Sequence, residues 1–311
     1  MTIEALRTPD AAFENLPGYN FAPHFLDHTN GLRMHYLDEG VGDATFLCLH
    51  GQPSWSYLYR KMIPVLRKAG RVIAPDLFGF GKSDKPVDQH IYSFDFHRQS
   101  LVDLIVKLDL TNITLVCQDW GGLLGLSIPP FMGDRFKRLI VMNTGLGTGE
   151  TPLGPGFLAW KAFNRSQPDM DLAELFKRGT PILSDHEAAA YAAPYPDVTY
   201  KAGVRQFPEL VPDSPDAPGA HISRAARNWW RSEWAGQSFM AIGAADPVIG
   251  VDAMQALRKN IRGCPEPMII ADAGHFVQEW GVDVAEWIHS YRSPFLDDRS
   301  KIPISASLMK H

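Results

Sequence analysis

Cysteine is scarce in this chain: Cys48, Cys117 and Cys264 are its three, odd in number and widely spaced over 311 residues. No C-x-x-C pair and no His/Cys cluster with ligand spacing accompanies them, which argues against redox or metal service. Two of them lie inside apolar runs and read as buried thiols. An excess of positive charge is lacking too. Thirty basic against thirty-five acidic side chains leave a net charge of −5, so no large positive field is available to hold a phosphate backbone, and nucleic acid is not an expected partner. A mean hydropathy of −0.15 excludes a membrane-embedded chain. Met1 to Pro17 carries acidic and polar side chains throughout, without the apolar core of a secretory signal, so a cytoplasmic location is expected. Low-complexity tracts and internal repeats are absent.

What is present is alternation. Short apolar runs recur at Thr45–His50, Arg71–Pro75, Ile113–Gln118, Arg138–Asn143, Gln237–Gly243 and Pro267–Ala271, and they read as buried parallel strands. Helical patterns separate them at Tyr57–Lys68, Asp95–Leu108, Gly121–Ile128 and Asp252–Asn260, which implies an α/β fold, a mainly parallel sheet flanked by helices. Leu32–Asp38 alternates and predicts an antiparallel edge. Between about Gly147 and Trp230 the strands stop. Helix-like stretches such as Asp171–Arg178 and His186–Ala193 occur there among Pro and Gly, and they predict an inserted helical cap. The expected organisation is therefore a main domain of residues 1–146 and 231–311 with a cap domain of 147–230. The last 19 residues, Ser293 to His311, have little periodicity and read as a surface appendage.

Chemistry concentrates at strand ends. Leu115-Val116-Cys117-Gln118-Asp119-Trp120-Gly121-Gly122 runs from an apolar strand through a sharp turn into a small-residue helix start. That is the setting of a nucleophile elbow, whose G-x-S-x-G form needs small neighbours because strand and helix backbones crowd there. Here Asp119 stands where serine would, and Cys117 replaces the first glycine. Taken alone, Asp119 reads as well as a helix N-cap. His50-Gly51-Gln52-Pro53, directly after an apolar run, resembles the His-Gly-x-Pro turn that helps build the oxyanion hole of many α/β-hydrolases; His50 itself reads as a structural turn histidine. A base is expected late in the chain, and His275 follows the last predicted strand, ahead of a helical pattern at Glu279–Tyr291. Asp246, ending the preceding strand, suits the orienting acid; Asp272 competes but is too close in sequence to His275.

These motifs, Gln118–Gly122, Gly243–Asp246, Gly274–Phe276 and His50–Arg60, resemble haloalkane dehalogenases across most of the chain. The cap stretches Ala159–Lys161 and Tyr191–Phe207 are similar to the subgroup whose catalytic acid follows the later strand. A glutamate after the strand ending near Asn143 would mark another subgroup, and Asn143-Thr144 stands there instead. The resemblance implies an α/β-hydrolase fold with a helical cap. It also implies hydrolysis of neutral haloalkanes to alcohol, halide and a proton, with no cofactor and no metal.

A carboxylate nucleophile suits that reaction. Serine would leave an ether that water does not readily cleave, whereas Asp119 would leave an alkyl ester for a water activated by His275 to hydrolyse. The oxyanion would be met by the backbone N–H of Trp120 and a donor from the Gly51–Gln52 turn. Halide leaves as an anion into a nearly dry pocket, so donor-only groups suit it: Trp120 by adjacency to Asp119, and Trp160 by family resemblance. Trp55, Trp229 and Trp230 read as cap or packing residues. Phe157, Phe163, Pro208, Leu210 and Val211 are candidate pocket walls, with cap core as the competing reading. The expected partners are a small neutral halogenated substrate, halide and water, the assembly a monomer or weak homo-oligomer.

Three other readings compete. An epoxide hydrolase shares the aspartate nucleophile and late histidine but protonates its leaving alkoxide with cap tyrosines, for which Tyr191, Tyr195 and Tyr200 are candidates; Gln52, where an aromatic residue is expected, speaks against it. Fluoroacetate dehalogenases place arginine after the nucleophile, where this chain has Trp120. A ligand-binding protein on the same fold would have lost a triad member, and all three candidates are present.

Overall fold

The computed structural model describes residues 2–290. Eight strands build the central sheet: β1 (His24–Asp27), β2 (Arg33–Glu39), β3 (Thr45–Leu49), β4 (Arg71–Pro75), β5 (Ile113–Gln118), β6 (Phe136–Met142), β7 (Gln237–Gly243) and β8 (Met268–Ile270). Their spatial order is β8-β7-β6-β5-β3-β4-β2-β1. From β3 to β8 all neighbours are parallel, while β2 pairs antiparallel with both β4 and β1. Every residue of β3 and β5 is buried, as expected of strands covered on both faces. Truncating one of their side chains, Leu47 or Leu115, would cost about 2–5 kcal/mol.

The predicted edge lies one strand further out. Leu32–Asp38 corresponds to β2, second from the margin, and β1 forms the margin itself. Only four residues long and half-buried, β1 lacks a periodic signal. The expected helix Tyr57–Lys68 divides into a 3-10 turn, Ser56–Tyr59, and α1 (Ile63–Leu66), because Pro64 has no N–H to continue a longer ladder and is tolerated only in a first turn. The long helix α2 (Phe94–Lys107) is capped by Ser93, whose hydroxyl accepts from Phe96 N–H. The helix after the elbow, α3 (Trp120–Gly125), is shorter than predicted; the chain restarts at Pro129 as α4 (Pro129–Met132).

Between β6 and β7 the chain is helical. It forms α5 (Pro155–Ser166), α6 (Leu172–Gly179), α7 (Asp185–Ala192), α8 (Ala202–Gln206) and α9 (Ala220–Ser232). Asp171 caps α6, and Ser184 with Glu187 forms a reciprocal capping box on α7. The expected boundary at 230/231 falls inside α9, whose Trp230 is buried and donates its indole N–H to the Leu126 carbonyl at 2.7 Å. After β7 come α10 (Val251–Arg258), the 3-10 turn Val277–Trp280 and α11 (Gly281–Ser290). Tyr291 and the tail from Ser293 onward lie outside the described residues. Among the described residues no helix is long and apolar enough to cross a membrane. Cys48 and Cys117 are buried and unpaired.

Candidate active site

The elbow is shaped by what cannot fit in it. A Cβ on Gly121 would lie 2.1 Å from the Leu49 carbonyl oxygen, and one on Gly51 would lie 2.1 Å from an Asp119 carboxylate oxygen. Glycine at both positions lets α3 and the His50–Pro53 turn close on β5. The turn between them puts Asp119 at φ 50°, ψ −127°, a left-handed backbone that costs a non-glycine residue about 1–3 kcal/mol. Its N–H donates to the Asn143 carbonyl at 2.9 Å, and its own carbonyl accepts the Thr144 hydroxyl at 2.6 Å. Asp119 stands at the N-cap of α3, yet its side chain makes no capping bond.

That carboxylate points instead into a cavity of about 560 Å³. One oxygen, Oδ1, accepts the Gln52 backbone N–H at 2.8 Å, and the other, Oδ2, stands 3.4 Å from His275 Nε2. On its far side His275 Nδ1 meets Asp246 Oδ2 at 2.7 Å. Asp119, His275 and Asp246, more than 150 residues apart from first to last, thus form one line. Asp272 borders the same cavity but makes no hydrogen bond to His275.

The charges along this line reinforce each other. Burial alone would lower the His275 pKa, but Asp246 and Asp119 outweigh it and raise the imidazole to about 10. Burial would likewise raise Asp246, yet His275, the Asn143 amide and the Val248 N–H hold it well below the usual carboxylate range. Asn143 is a residue that sequence reasoning had used only as a marker of subgroup. Its Nδ2 donates to Asp246 Oδ2 at 2.9 Å and to the Gly243 carbonyl at 3.0 Å, while its Oδ1 accepts the Gly243 N–H at 2.9 Å. It locks the end of β6 to the end of β7.

Both named tryptophans border the cavity, Trp120 buried and Trp160 half-buried on α5. Neither indole N–H has an acceptor among the described residues. Trp120 is held edge-on against Phe207, ring centroids 4.9 Å apart, and its backbone N–H belongs to the first turn of α3, where helix donors lack an intrahelical partner. The Gln52 side chain turns away: its Nε2 donates to the Val204 carbonyl at 2.9 Å, tying the turn to α8. His50 is buried, its Nε2 accepting from Leu77 N–H at 2.9 Å, so Nδ1 carries the proton and donates to the Gly51 carbonyl. That is a turn-holding role.

Of the five candidate wall residues, Phe157, Pro208 and Val211 line the cavity. Phe163 and Leu210 do not. Phe163 packs beside Trp160, centroids 6.1 Å apart, and under the Arg178 guanidinium, and Leu210 is half-buried against the core. The cap tyrosines are also elsewhere: Tyr191 donates to Glu279, Tyr195 to the Pro53 carbonyl at 3.4 Å, and Tyr200 packs on the core. Leu123, Leu175, Arg178, Gly179, Pro181 and the stretch Pro247–Ile249 also line the cavity, without a motif that would have marked them. Among the described residues no group of three or more His, Cys, Asp or Glu could hold a metal ion.

Known proteins share this chain's sequence and fold. The family described as alpha/beta hydrolase fold matches residues 44–282. A haloalkane dehalogenase of Psychrobacter cryohalolentis is 45% identical over 309 residues, covering 96% of this chain and all of that protein. Haloalkane dehalogenase 1 of Mycobacterium tuberculosis is 46% identical over 304 residues, covering 93% of this chain and 99% of its own. Among solved structures, the tetrameric haloalkane dehalogenase DpaA of Paraglaciecola agarilytica has a TM-score of 0.89 at 52% identity, over 92% of this chain and 97% of that one. DatA of Agrobacterium tumefaciens, at 23% identity and a TM-score of 0.75, shares the fold.

Proposed function

Because the chain belongs to the haloalkane dehalogenases, hydrolases of the carbon–halogen bond on the α/β-hydrolase fold, we propose that Asp119 is its nucleophile and that the reaction passes through an alkyl ester on that residue. The observation that carries this reading is the placement of a carboxylate, not capping its helix, between the Gln52 N–H and His275 Nε2 at the floor of a cavity. Oδ2, free of backbone donors, attacks carbon in line and expels halide. Oδ1 stays with the Gln52 N–H and becomes the ester carbonyl oxygen.

Esterification changes His275. The ester is neutral, so one of the two negative charges that raise the imidazole is gone; its pKa falls, the proton it holds in the free enzyme is released to solvent, and the ring can then take one from water. Hydroxide equivalent adds to the Asp119 carboxyl carbon. The oxyanion faces the backbone N–H groups of Gln52 and Trp120, while Asp246 steadies the imidazolium. Collapse then breaks the bond from the carboxyl carbon to the alkyl oxygen: the alkoxide leaves as alcohol with the imidazolium proton, and the acid formed on Asp119 ionises, returning its proton to His275. Halide leaves toward Trp120 and Trp160, whose indole donors have no acceptor among the described residues to compete for them. Epoxide opening would need an acid for the alkoxide; none of the three cap tyrosines borders the cavity. The helices of residues 147–230 serve as the cap domain of this site, and the tetramer of DpaA favours the oligomeric of the two expected assemblies.

The test replaces the base. His275→Gln protein mixed with 1-bromobutane should release one equivalent of bromide and hold a butyl group on the peptide containing Asp119, seen by mass. An alkyl group on another residue, or bromide release without any adduct, overturns the assignment.

A further inference from the structure

The segment that carries His275 is gripped at both ends by helices of the insertion. Phe276, the next residue, stacks on Phe176 of α6 with ring centroids 4.3 Å apart, and Phe176 lies flat on Tyr191 of α7 at 3.7 Å and 5°. The chain then turns through the 3-10 helix, where the Glu279 N–H donates to the Phe276 carbonyl at 3.0 Å. The side chain of Glu279 is fully buried and accepts the Tyr191 hydroxyl. Phe276, Phe176, Tyr191 and Glu279 therefore close a ring around one short stretch of backbone.

A buried carboxylate needs opposite charge, and Glu279 has it twice. Arg60 donates to both of its oxygens, at 2.5 and 2.8 Å, and Lys61 reaches Oε2 at 2.8 Å. Arg60 also holds Glu187 of α7 at 2.8 Å and lies over the Tyr57 ring at 4.1 Å. Two acids and two bases balance. The cluster is thus a neutral, interlocked joint between α7, the Arg60 turn and the His275 segment. Asp119 is outside it, held by the elbow and by the Gln52 N–H.

We propose that Glu279 is a positioning residue for His275, reading the seating of α7 through the Tyr191 hydroxyl, so that this joint governs ester hydrolysis and leaves halide displacement untouched. This rests on the two-step reading above. A base must sit within hydrogen-bond reach of its water, and displacement by an ångström costs on the order of 100-fold; the nucleophile has no such dependence on the joint.

Tyr191→Phe removes the hydroxyl and keeps the ring on Phe176. Single-turnover rapid quench with 1-bromobutane should show bromide release within about twofold of the parent and butanol release slowed about tenfold, with the butyl-enzyme accumulating between them. Glu187→Gln, at the outer end of the cluster, should shift the same ratio in the same direction by less. Equal slowing of both steps would mark a merely structural role and overturn the proposal, as would an unchanged ratio in both variants. The His275→Gln protein separates the two failures. If it forms no ester, the mechanism is wrong; if it does while Tyr191→Phe partitions like the parent, only the positioning role is.

Discussion

Two histidine–aspartate pairs in this protein have the same length and different lives. His275 Nδ1 lies 2.7 Å from Asp246 Oδ2, and His35 Nδ1 lies 2.7 Å from Asp76 Oδ2. The second pair is sealed, both side chains being 0% exposed, and His35 Nε2 has no partner among the described residues. Asp76 is consumed by structure: it also accepts the backbone N–H groups of Ser56 and Lys82, at 2.7 and 2.8 Å, and so braces the chain after the His50–Pro53 turn. His275 is 20% exposed to a cavity and has another carboxylate before its free nitrogen. On the proposed mechanism, a dyad becomes a reagent through what its second nitrogen faces, not through the bond behind the first.

Substitution should break the comparison apart. The largest effect is expected from Asp246→Asn, which removes the charge that stabilises imidazolium; rapid-quench ester hydrolysis should fall on the order of 10³-fold while bromide release persists. Asp76→Asn should leave the ester lifetime as it is and lower stability by about 1–3 kcal/mol in urea titration, because buried donors that the carboxylate satisfies, the N–H groups of Ser56 and Lys82, lose a full acceptor. An ester lifetime lengthened by Asp76→Asn would erase the distinction. Next in size, Trp160→Phe deletes a donor but keeps an aromatic wall. A hydrogen bond to a charged group contributes about 1.5–3 kcal/mol, so inhibition by bromide should weaken about 10- to 100-fold, and an unchanged inhibition constant would remove Trp160 from halide binding.

The smallest effect is a pH shift. His275, raised to about 10, contributes stability that is whole below the ordinary histidine range near 6.5 and is lost as pH climbs through about 10. Asp246, held low, contributes at pH values above the ordinary carboxylate range and loses it only in strong acid. Asp119→Asn removes one of the two charges that raise His275, so its imidazole should titrate below 10 by NMR, as the ester intermediate's should. Titration unchanged from the parent would mean Asp119 does not act on His275.

The sheet was largely legible from sequence, since β4, β5 and β7 are apolar runs buried along nearly their whole length and punctuated by turns. Asp119 was not legible alone; aspartate before a helix is ordinarily a cap, and it took the His50–Pro53 turn, the order of Asp246 and His275 along the chain and the family resemblance to argue otherwise. The wall residues on α5 show a subtler limit. At about 100° per residue, Phe157 and Trp160 fall about 60° apart while Phe163 swings about 120° away from Phe157, so helical geometry separates them once the cavity-facing side is known. Family resemblance named Trp160, and Phe157 and Phe163 were named as apolar cap residues; neither route could name that side. The Asn143 bridge to Asp246 joins residues 103 apart in sequence, and amide side chains carry no periodic signal.

The left-handed backbone at Asp119 has a consequence for the history of such chains. On its proposed role the residue works against folding, because glycine would occupy φ 50° more easily there. Selection for stability and selection for turnover therefore pull in opposite directions at one codon. A lineage relieved of its substrate should therefore tolerate glycine at position 119, shedding the backbone strain together with the carboxylate that holds the Gln52 N–H and faces His275.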